Sequence, residues 1–386
     1  MPFLCHPRRA AVAVLTTLTT FVTLALPVVG FTGVTVALGG AAAWGKEPDQ
    51  ELRLVSFRSE AGTEVEVAGK LLVTAQDGGR LLLNDEGHLF LIQPDQLIDD
   101  QPLEGSFRPV GVAEMERRLA AELPPDFNFR RTSNYLIAHN CDEFYARWVG
   151  GLFESLHRGM HVFFSNQRWK LDKPEFPLVA LVFADRASFD AYATKELGEA
   201  AKNVIGYYHL ETNRMVTFKV PDPERNVSTI IHEATHQLAY NTGIQTRFAD
   251  NPMWISEGLA LFFEAPNFNS LNGWKGVGRV NYFNLELFRK LAPNRPPNAL
   301  ETLLIDDTKF RQPATQPEAY AESWAFTYFL MKKRGRDLIR YLQALGDGTP
   351  MVPVAPRERL ALFQKIFGAE LADLDREFIA FMARVR

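Results

Sequence analysis

Apolar positions change their spacing along the chain, and the changes divide it. From residue 51 to 103 they come in short runs cut by acidic and glycine turns. Val65–Ala75, Arg80–Asn84 and Leu89–Ile92 are rich in Val, Leu and Phe, and Asp77-Gly78-Gly79 and Asp85-Glu86-Gly87 break them. β-prone runs separated by such clusters predict a small all-β domain, a barrel or a meander, over residues 51–103. It carries no cluster of chemically active side chains, so its expected role is packing or interaction. Residues 104–131 read as a linker with one short helix near Val112–Glu122 and a break at Pro124-Pro125.

Residues 132–386 alternate strands and helices before turning helical. Tyr135–Ala138 predicts a strand. Phe144–Phe164 predicts an amphipathic helix with Trp148, Leu152, Leu156 and Met160 toward a core. Pro177–Ala184 reads as a buried strand and Ser188–Leu197 as a helix. Ile205–Leu210 and Met215–Val220 read as strands joined by Glu211-Thr212-Asn213, one of them the edge of a sheet able to pair with an extended peptide. Val227, Ile230, Ile231, Ala234, Leu238 and Ala239 form one helical stripe, with Asn226 or Ser228 to cap its start and Asn241-Thr242-Gly243 to stop it. Pro252 suits the start of a second helix. From Asn284 onward the pattern is helical, with breaks at Pro293–Pro297 and Gly346–Pro356. The expected class is α+β: a mixed sheet with a central helix, then a helical C-terminal lobe.

The first of those two helices carries His232-Glu233-Ala234-Thr235-His236, an HExxH pentad. Residues four apart share a helix face, so both imidazoles can hold one metal ion. Glu257 comes 21 residues after His236, on the second helix, and can supply a third ligand. Two His and one Glu with an open fourth position is the ligand set of hydrolytic zinc sites, which predicts one Zn2+ per chain. Glu233, beside the first ligand, is placed to act as general base on a water molecule rather than to bind the ion.

The flanking residues extend the pattern. Gln237 follows the pentad and Asn241 comes shortly after it. Trp254 precedes Glu257, Gly258 and Ala260 follow it, and Glu264 lies seven positions on. The region 226–264 therefore resembles the gluzincin metallopeptidases of the peptidase MA-like group, with the His-Glu-x-x-His-Gln … Trp-x-x-Glu-Gly-x-Ala-x-x-x-Glu pattern of their aminopeptidase branch. It looks closer still to a bacterial domain-of-unknown-function family with the same motifs. The resemblance spans roughly residues 130–340. It implies a zincin-like fold, a peptide or protein substrate, and a tyrosine that donates to the developing oxyanion. Tyr320, 63 residues after Glu257 and opening the helical run Tyr320–Phe326, is the candidate for that donor, with Tyr328 behind it. Glu264, Asn241 and Gln237 are the candidates for orienting the ligands.

Two departures qualify the resemblance. The interval between the pentad and Glu257 is slightly longer than in the family, which a loop absorbs. The Gly-x-Met-Glu-Asn motif that holds a substrate amino terminus is absent, and Gly206-Tyr207-Tyr208-His209-Leu210-Glu211 stands there instead. Exopeptidase specificity therefore does not follow. Glu211 is a remote substitute for the missing carboxylate, and reads more simply as a turn residue.

Composition sets the remaining bounds. The chain has 386 residues, 46% apolar and 23% charged, an ordinary globular balance. A net charge of −4 without a basic aromatic stripe gives no pull toward nucleic acid. The first 45 residues differ: Arg8-Arg9 precede an uncharged stretch from Ala10 to Gly45 that ends near Ala41-Ala42-Ala43. This reads as a signal peptide or an N-terminal membrane anchor, and places the rest of the chain outside the cytoplasmic membrane, in a periplasmic, secreted or surface-anchored position. Arg8-Arg9 hints at twin-arginine export but its flanks match poorly, and Cys5 precedes the apolar core where a lipid anchor needs it to follow. Cys5 and Cys141 are the only cysteines, so Cys141 is expected as a small buried residue. His139, His157 and His161 are expected to be structural, although the last two are also four apart; His88 and His209 are expected in turns or strands.

Overall fold

A computed structural model describes residues 51–386 apart from 271 and 272. The leader reading and Cys5 lie outside the described residues. No helix among the described residues is long and apolar enough to cross a membrane. The fold is α+β, with a β-rich N-terminal part and a helical C-terminal part.

The first sheet holds β1 (Leu52–Arg58), β2 (Glu64–Thr74), β3 (Arg80–Asn84), β4 (Leu89–Ile92) and β5 (Leu97–Pro102), in the order β4-β3-β2-β1-β5. Every pairing is antiparallel: β1 to β4 form an open meander, and β5 crosses back to the far edge to pair with β1. Val55, Leu82 and Ile92 form a small core on one face. Leu81, Leu83 and Leu89 pack on the other face with Phe176, which lies just ahead of a strand of the second sheet.

After α1 (Val112–Glu122), a second sheet is built from β6 (Asn128–Arg131), β7 (Tyr135–His139), β8 (Leu178–Phe183), β9 (Gly206–His209) and β10 (Arg214–Phe218). Its order is β6-β7-β8-β10-β9. The three central strands are parallel, and β6 and β9 are antiparallel edges. β6 falls at the end of the stretch expected to be linker, and structurally belongs to this sheet. Its sequence, Asn-Phe-Arg-Arg, is too short and too charged to show an alternation.

The period-2 rule sorts the central strands between two cores. Ile137, Leu178, Ala180 and Val182 face one side, where α2 (Glu143–Asn166) and α4 (Pro223–Asn241) lie. Leu136, Ala138, Val179 and Leu181 face the other, against Met115 and Leu119 of α1 and Phe189 of α3 (Arg186–Leu197). Trp148 is half-buried and Leu152, Leu156 and Met160 are buried, as the helical periodicity predicts.

The rest is helical: α5 (Met253–Glu264), α6 (Tyr282–Leu291), α7 (Ala299–Ile305), α8 (Thr308–Arg311), α9 (Gln316–Lys333), α10 (Gly335–Gly346), α11 (Pro356–Phe367) and α12 (Leu371–Met382). α5 is apolar almost all round, the signature of a helix with no solvent face. Trp254, Ile255, Leu259, Phe262 and Phe263 are all buried, and α5 packs against both α4 and α9. The side chain missing at Gly258 makes that packing possible. A Cβ there would stand 2.2 Å from Thr327 Oγ1 and 2.8 Å from the Ser323 carbonyl, both on α9.

Two helix starts differ from expectation. α4 begins earlier than its apolar stripe, with Pro223 in its first turn and Asp222 as cap, its side chain accepting from Arg225 N at 2.8 Å. Asn226 is inside the helix and instead accepts from Tyr145 Oη at 2.8 Å and from Val220 N at 3.3 Å. α9 starts at Gln316, so Tyr320 lies one turn inside it rather than opening it. The stop at Asn241-Thr242-Gly243 holds, with Gly243 at φ +80°.

Candidate metal centre

α4 is buried on nearly every side, under the second sheet, α2 and α5. That burial takes His232, Glu233 and His236 out of water together. The imidazole rings meet edge to face, 4.9 Å apart, with their Nε2 atoms 3.2 Å from each other. α5 brings Glu257 to the same point: its Oε2 lies 3.3 Å from His232 Nε2 and 3.8 Å from His236 Nε2. Donors bound at about 2.0–2.1 Å to one tetrahedral ion stand about 3.3 Å apart, so the three atoms already lie close to the corners of such a shell. Among the described residues, these three form the group whose ligand atoms converge closely enough to share a cation.

The surroundings hold the ligands in that arrangement. Glu264 Oε2 lies 2.7 Å from His232 Nδ1. A carboxylate accepts there, so Nδ1 carries the hydrogen and Nε2, across the ring, is the atom turned to the shared point. Asn281 Nδ2 donates to the other oxygen, Glu264 Oε1, at 2.8 Å, which fixes the carboxylate in turn. Asn281 also caps α6 through Asn284 N, so the start of α6 and the end of α5 lock together at this carboxylate.

Electrostatics match a cation site. Burial works against a charged His232, but Glu257 and Glu264 outweigh it and hold its pKa well above the usual value. Burial pushes His236 down to about 4, against the pull of Glu257, so this ring presents a lone pair at neutral pH. Burial pushes Glu233 up to about 7; His232 opposes the shift and Glu257 adds to it. Three buried carboxylates around two imidazoles call for added positive charge, which a divalent ion supplies.

Glu233 does not join the trio. Its Oε2 accepts the Tyr208 backbone N–H at 2.9 Å, which ties it to edge strand β9. Tyr208 stacks on Tyr240, with ring centres 5.6 Å apart.

Gln237 and Asn241 serve the helix rather than the ligands. Gln237 Nε2 donates to the Val179 carbonyl at 2.9 Å and to the Asn213 carbonyl at 3.0 Å. Asn241 exchanges amide bonds with Asn213, at 2.7 and 2.9 Å, and Tyr208 Oη donates to the same Asn213 at 2.7 Å. Both side chains thus clamp α4 to β8 and to the β9–β10 turn, which sets the height of the pentad over the sheet. Asn213 has φ +60° and reads in the sequence only as a turn residue; nothing local marks it or Asn281 as a support of the site.

Tyr320 is buried in the first half of α9. Its ring centre lies 6.0 Å from that of Phe310, and Gln316 Nε2 lies 3.5 Å from its hydroxyl. It shares a helical row with Ser323 and Thr327, the residues that meet α5 at Gly258. Tyr328 packs on Trp324 and Phe262. Glu211 is in the β9–β10 turn, its carbonyl accepting from Leu89 N at 2.8 Å. Cys141 is buried, and burial followed by Asp142 pushes its thiol up to about 11. His139 Nδ1 lies 3.1 Å from the Cys141 carbonyl. His209 contacts Thr212 within its own turn, and His88 is half-buried in the β3–β4 turn.

The model of a protein family of unknown function, DUF1570, matches residues 226–352, from within α4 to beyond α10. The match takes in the pentad, Glu257 and Glu264. No curated protein matches the chain.

Proposed function

We propose that the chain is an exported zinc-dependent peptidase of the gluzincin type, acting on peptides or proteins. The observation that carries the proposal is the buried trio His232, His236 and Glu257, with Glu233 beside it but bound to the edge strand rather than to the trio. A bound zinc ion supplies Lewis acidity at the scissile carbonyl and lowers the pKa of water from 15.7 toward about 7. His232, His236 and Glu257 hold it, and Glu264 keeps the His232 lone pair directed at it.

Glu233 takes the proton of the attacking water as its oxygen bonds to the carbonyl carbon. The same carboxyl then delivers that proton to the amine nitrogen as the carbon–nitrogen bond breaks. Its raised pKa suits both halves of the exchange. The oxyanion formed on attack needs a donor, the role the family resemblance assigns to Tyr320. Export rests on Arg8-Arg9 followed by the uncharged stretch that ends at Gly45.

The test incubates the zinc-loaded full chain with a diverse peptide pool and reads new termini by mass spectrometry, beside Glu233→Gln. Cleavage by the wild type, falling about 10²- to 10⁴-fold in the variant while zinc stays bound, supports the proposal. Equal cleavage by both proteins removes Glu233 from the mechanism. No cleavage by a zinc-loaded wild type points to a non-peptide acyl bond or to a binding role.

A further inference from the structure

Arg247, in the loop between α4 and α5, stands apart from the other inward-facing arginines. Arg214 pairs with Glu122, Arg295 with Glu322 and Asp375, and Arg359 with Asp250 and Asp307. Among the described residues no carboxylate pairs with Arg247. Its Nη1 donates to the Gly87 carbonyl at 2.8 Å and to the Leu210 carbonyl at 3.1 Å. The remaining edge of the guanidinium, Nε and Nη2, makes no hydrogen bond among the described residues, and the side chain is only half buried. Burial pushes its pKa down, with Tyr208 and the exposed Glu175 pulling the other way; an arginine so placed still keeps its charge.

Its position relative to Glu233 follows from strand geometry. Alternate residues of a strand direct their backbone groups to the same edge. Tyr207 and His209 sit opposite Val216 and Arg214 of β10, and the His209 carbonyl accepts from Asn213 N across the turn. Tyr208 turns its N–H the other way, to Glu233, and Leu210 turns its carbonyl to Arg247. The two side chains therefore meet the outer edge of β9 and of the turn that follows it, at backbone groups two residues apart in sequence. The lining between them is neutral: Tyr208 stacked on Tyr240. His88, in the hairpin turn behind Arg247, is pushed down to about 3 by burial, then by Arg214 and Arg247.

We propose that Arg247 binds a carboxylate of the substrate, one or two residues from the bond that is cut, and that the N-terminal sheet fixes it for this task. The proposal rests on the peptidase reading of the trio. A substrate extended along the rim of β9, with its reacting carbonyl near Glu233, brings a neighbouring side chain or its own terminal carboxylate to the guanidinium. The open fork suits a planar carboxylate. The first sheet contributes the anchor. Gly87 (φ +87°) offers its carbonyl because its turn lies flat on Phe176; a Cβ there would stand 2.8 Å from the ring. Leu89 N bonds the Glu211 carbonyl at 2.8 Å, so the hairpin and the end of β9 move as one body with Arg247 between them. The β domain thus becomes the end wall of the substrate cleft.

The experiment measures kcat/KM of the zinc-loaded full chain on matched peptides that differ as Glu against Gln at each position around a cleaved bond. The same peptides are compared with free and amidated C-termini. We expect a preference of tenfold or more for the carboxylate at one fixed place. The Glu–Gln arm identifies a side chain as its source and the acid–amide arm identifies the chain terminus. In Arg247→Gln the two matched peptides should be cut alike, and Arg247→Lys should keep part of the preference. A wild type indifferent to every carboxylate overturns the proposal, without recourse to any variant or its folding. If no peptide is cleaved, the peptidase reading fails by itself. Calorimetric titration of the same peptides then decides Arg247: tighter binding of the carboxylate peptide by wild type and not by Arg247→Gln sustains an anion site, and equal Kd values dismiss it.

Discussion

Two helices of this protein carry histidine pairs four residues apart, and among the described residues only one pair joins a group able to share a cation. On α2, His157 and His161 stack 4.1 Å apart, half-buried, and His161 Nδ1 lies 2.9 Å from the carbonyl of His157. Burial and the neighbouring His161 push His157 down to about 4, with Glu154 opposing, yet the Glu154 carboxylate is taken up by Thr132 and Asn134. On α4, His232 and His236 are fully buried, one ring is oriented by Glu264, and Glu257 completes the trio. The spacing within the helix is the same. The difference is a second helix that brings one carboxylate to the shared point and another behind a ring. The i,i+4 rule supplies two ligands, and tertiary packing makes them a site.

Removing the second helix's contribution should break this contrast most severely. Glu257→Gln leaves α4 the resources of α2, and zinc affinity measured against a competing chelator should fall by well over ~100-fold, more than loss of an outer partner costs. Glu264→Gln keeps all three ligands but loosens the His232 ring, so the same titration should show a loss of ~10- to 100-fold.

Gln237→Leu should separate support of the helix from support of the ligands. The Val179 and Asn213 carbonyls lose their donor in a buried place, which costs about 2–3 kcal/mol in urea unfolding, while zinc stoichiometry stays at that of the wild type. A loss of zinc without a loss of stability would instead place Gln237 among the orienting groups. The smallest effect belongs to the pair on α2. His157→Gln with His161→Gln should leave zinc content unchanged and alter stability by less than about 1 kcal/mol. A change in zinc content there would erase the distinction between the two helices.

Much of this is legible in the chain because it depends on local period. The bounds of β3, β4 and α1 match their apolar runs, and the two sheet faces follow from alternation in β7 and β8. The trio is legible because a helix converts spacing into direction, and Glu264 because two further turns return it to the face of Glu257. What escapes is set by partners distant in sequence. Asn281 reaches Glu264 only once α6 docks on α5, and Asn213 acts through a left-handed turn that the sequence shows only as polar. Gln237 and Asn241 follow the pentad as ligand supports would, yet the sheet lies on their side of α4 and takes both amides. β6 and β5 are edge strands rich in charge, which hides their alternation. The cap of α4 escapes because the helix begins with a polar turn ahead of its apolar stripe.

Under the proposed function, the trio on α4 and α5 holds one ion and hydrolysis depends on it. The direct measurement adds zinc stepwise to the chelator-stripped full chain while following the hydrolysis of a peptide that the untreated protein cleaves. No hydrolysis is expected after stripping, and its return should be linear with a break at one zinc per chain. Hydrolysis that survives stripping, or a return that breaks at a different stoichiometry, would contradict it.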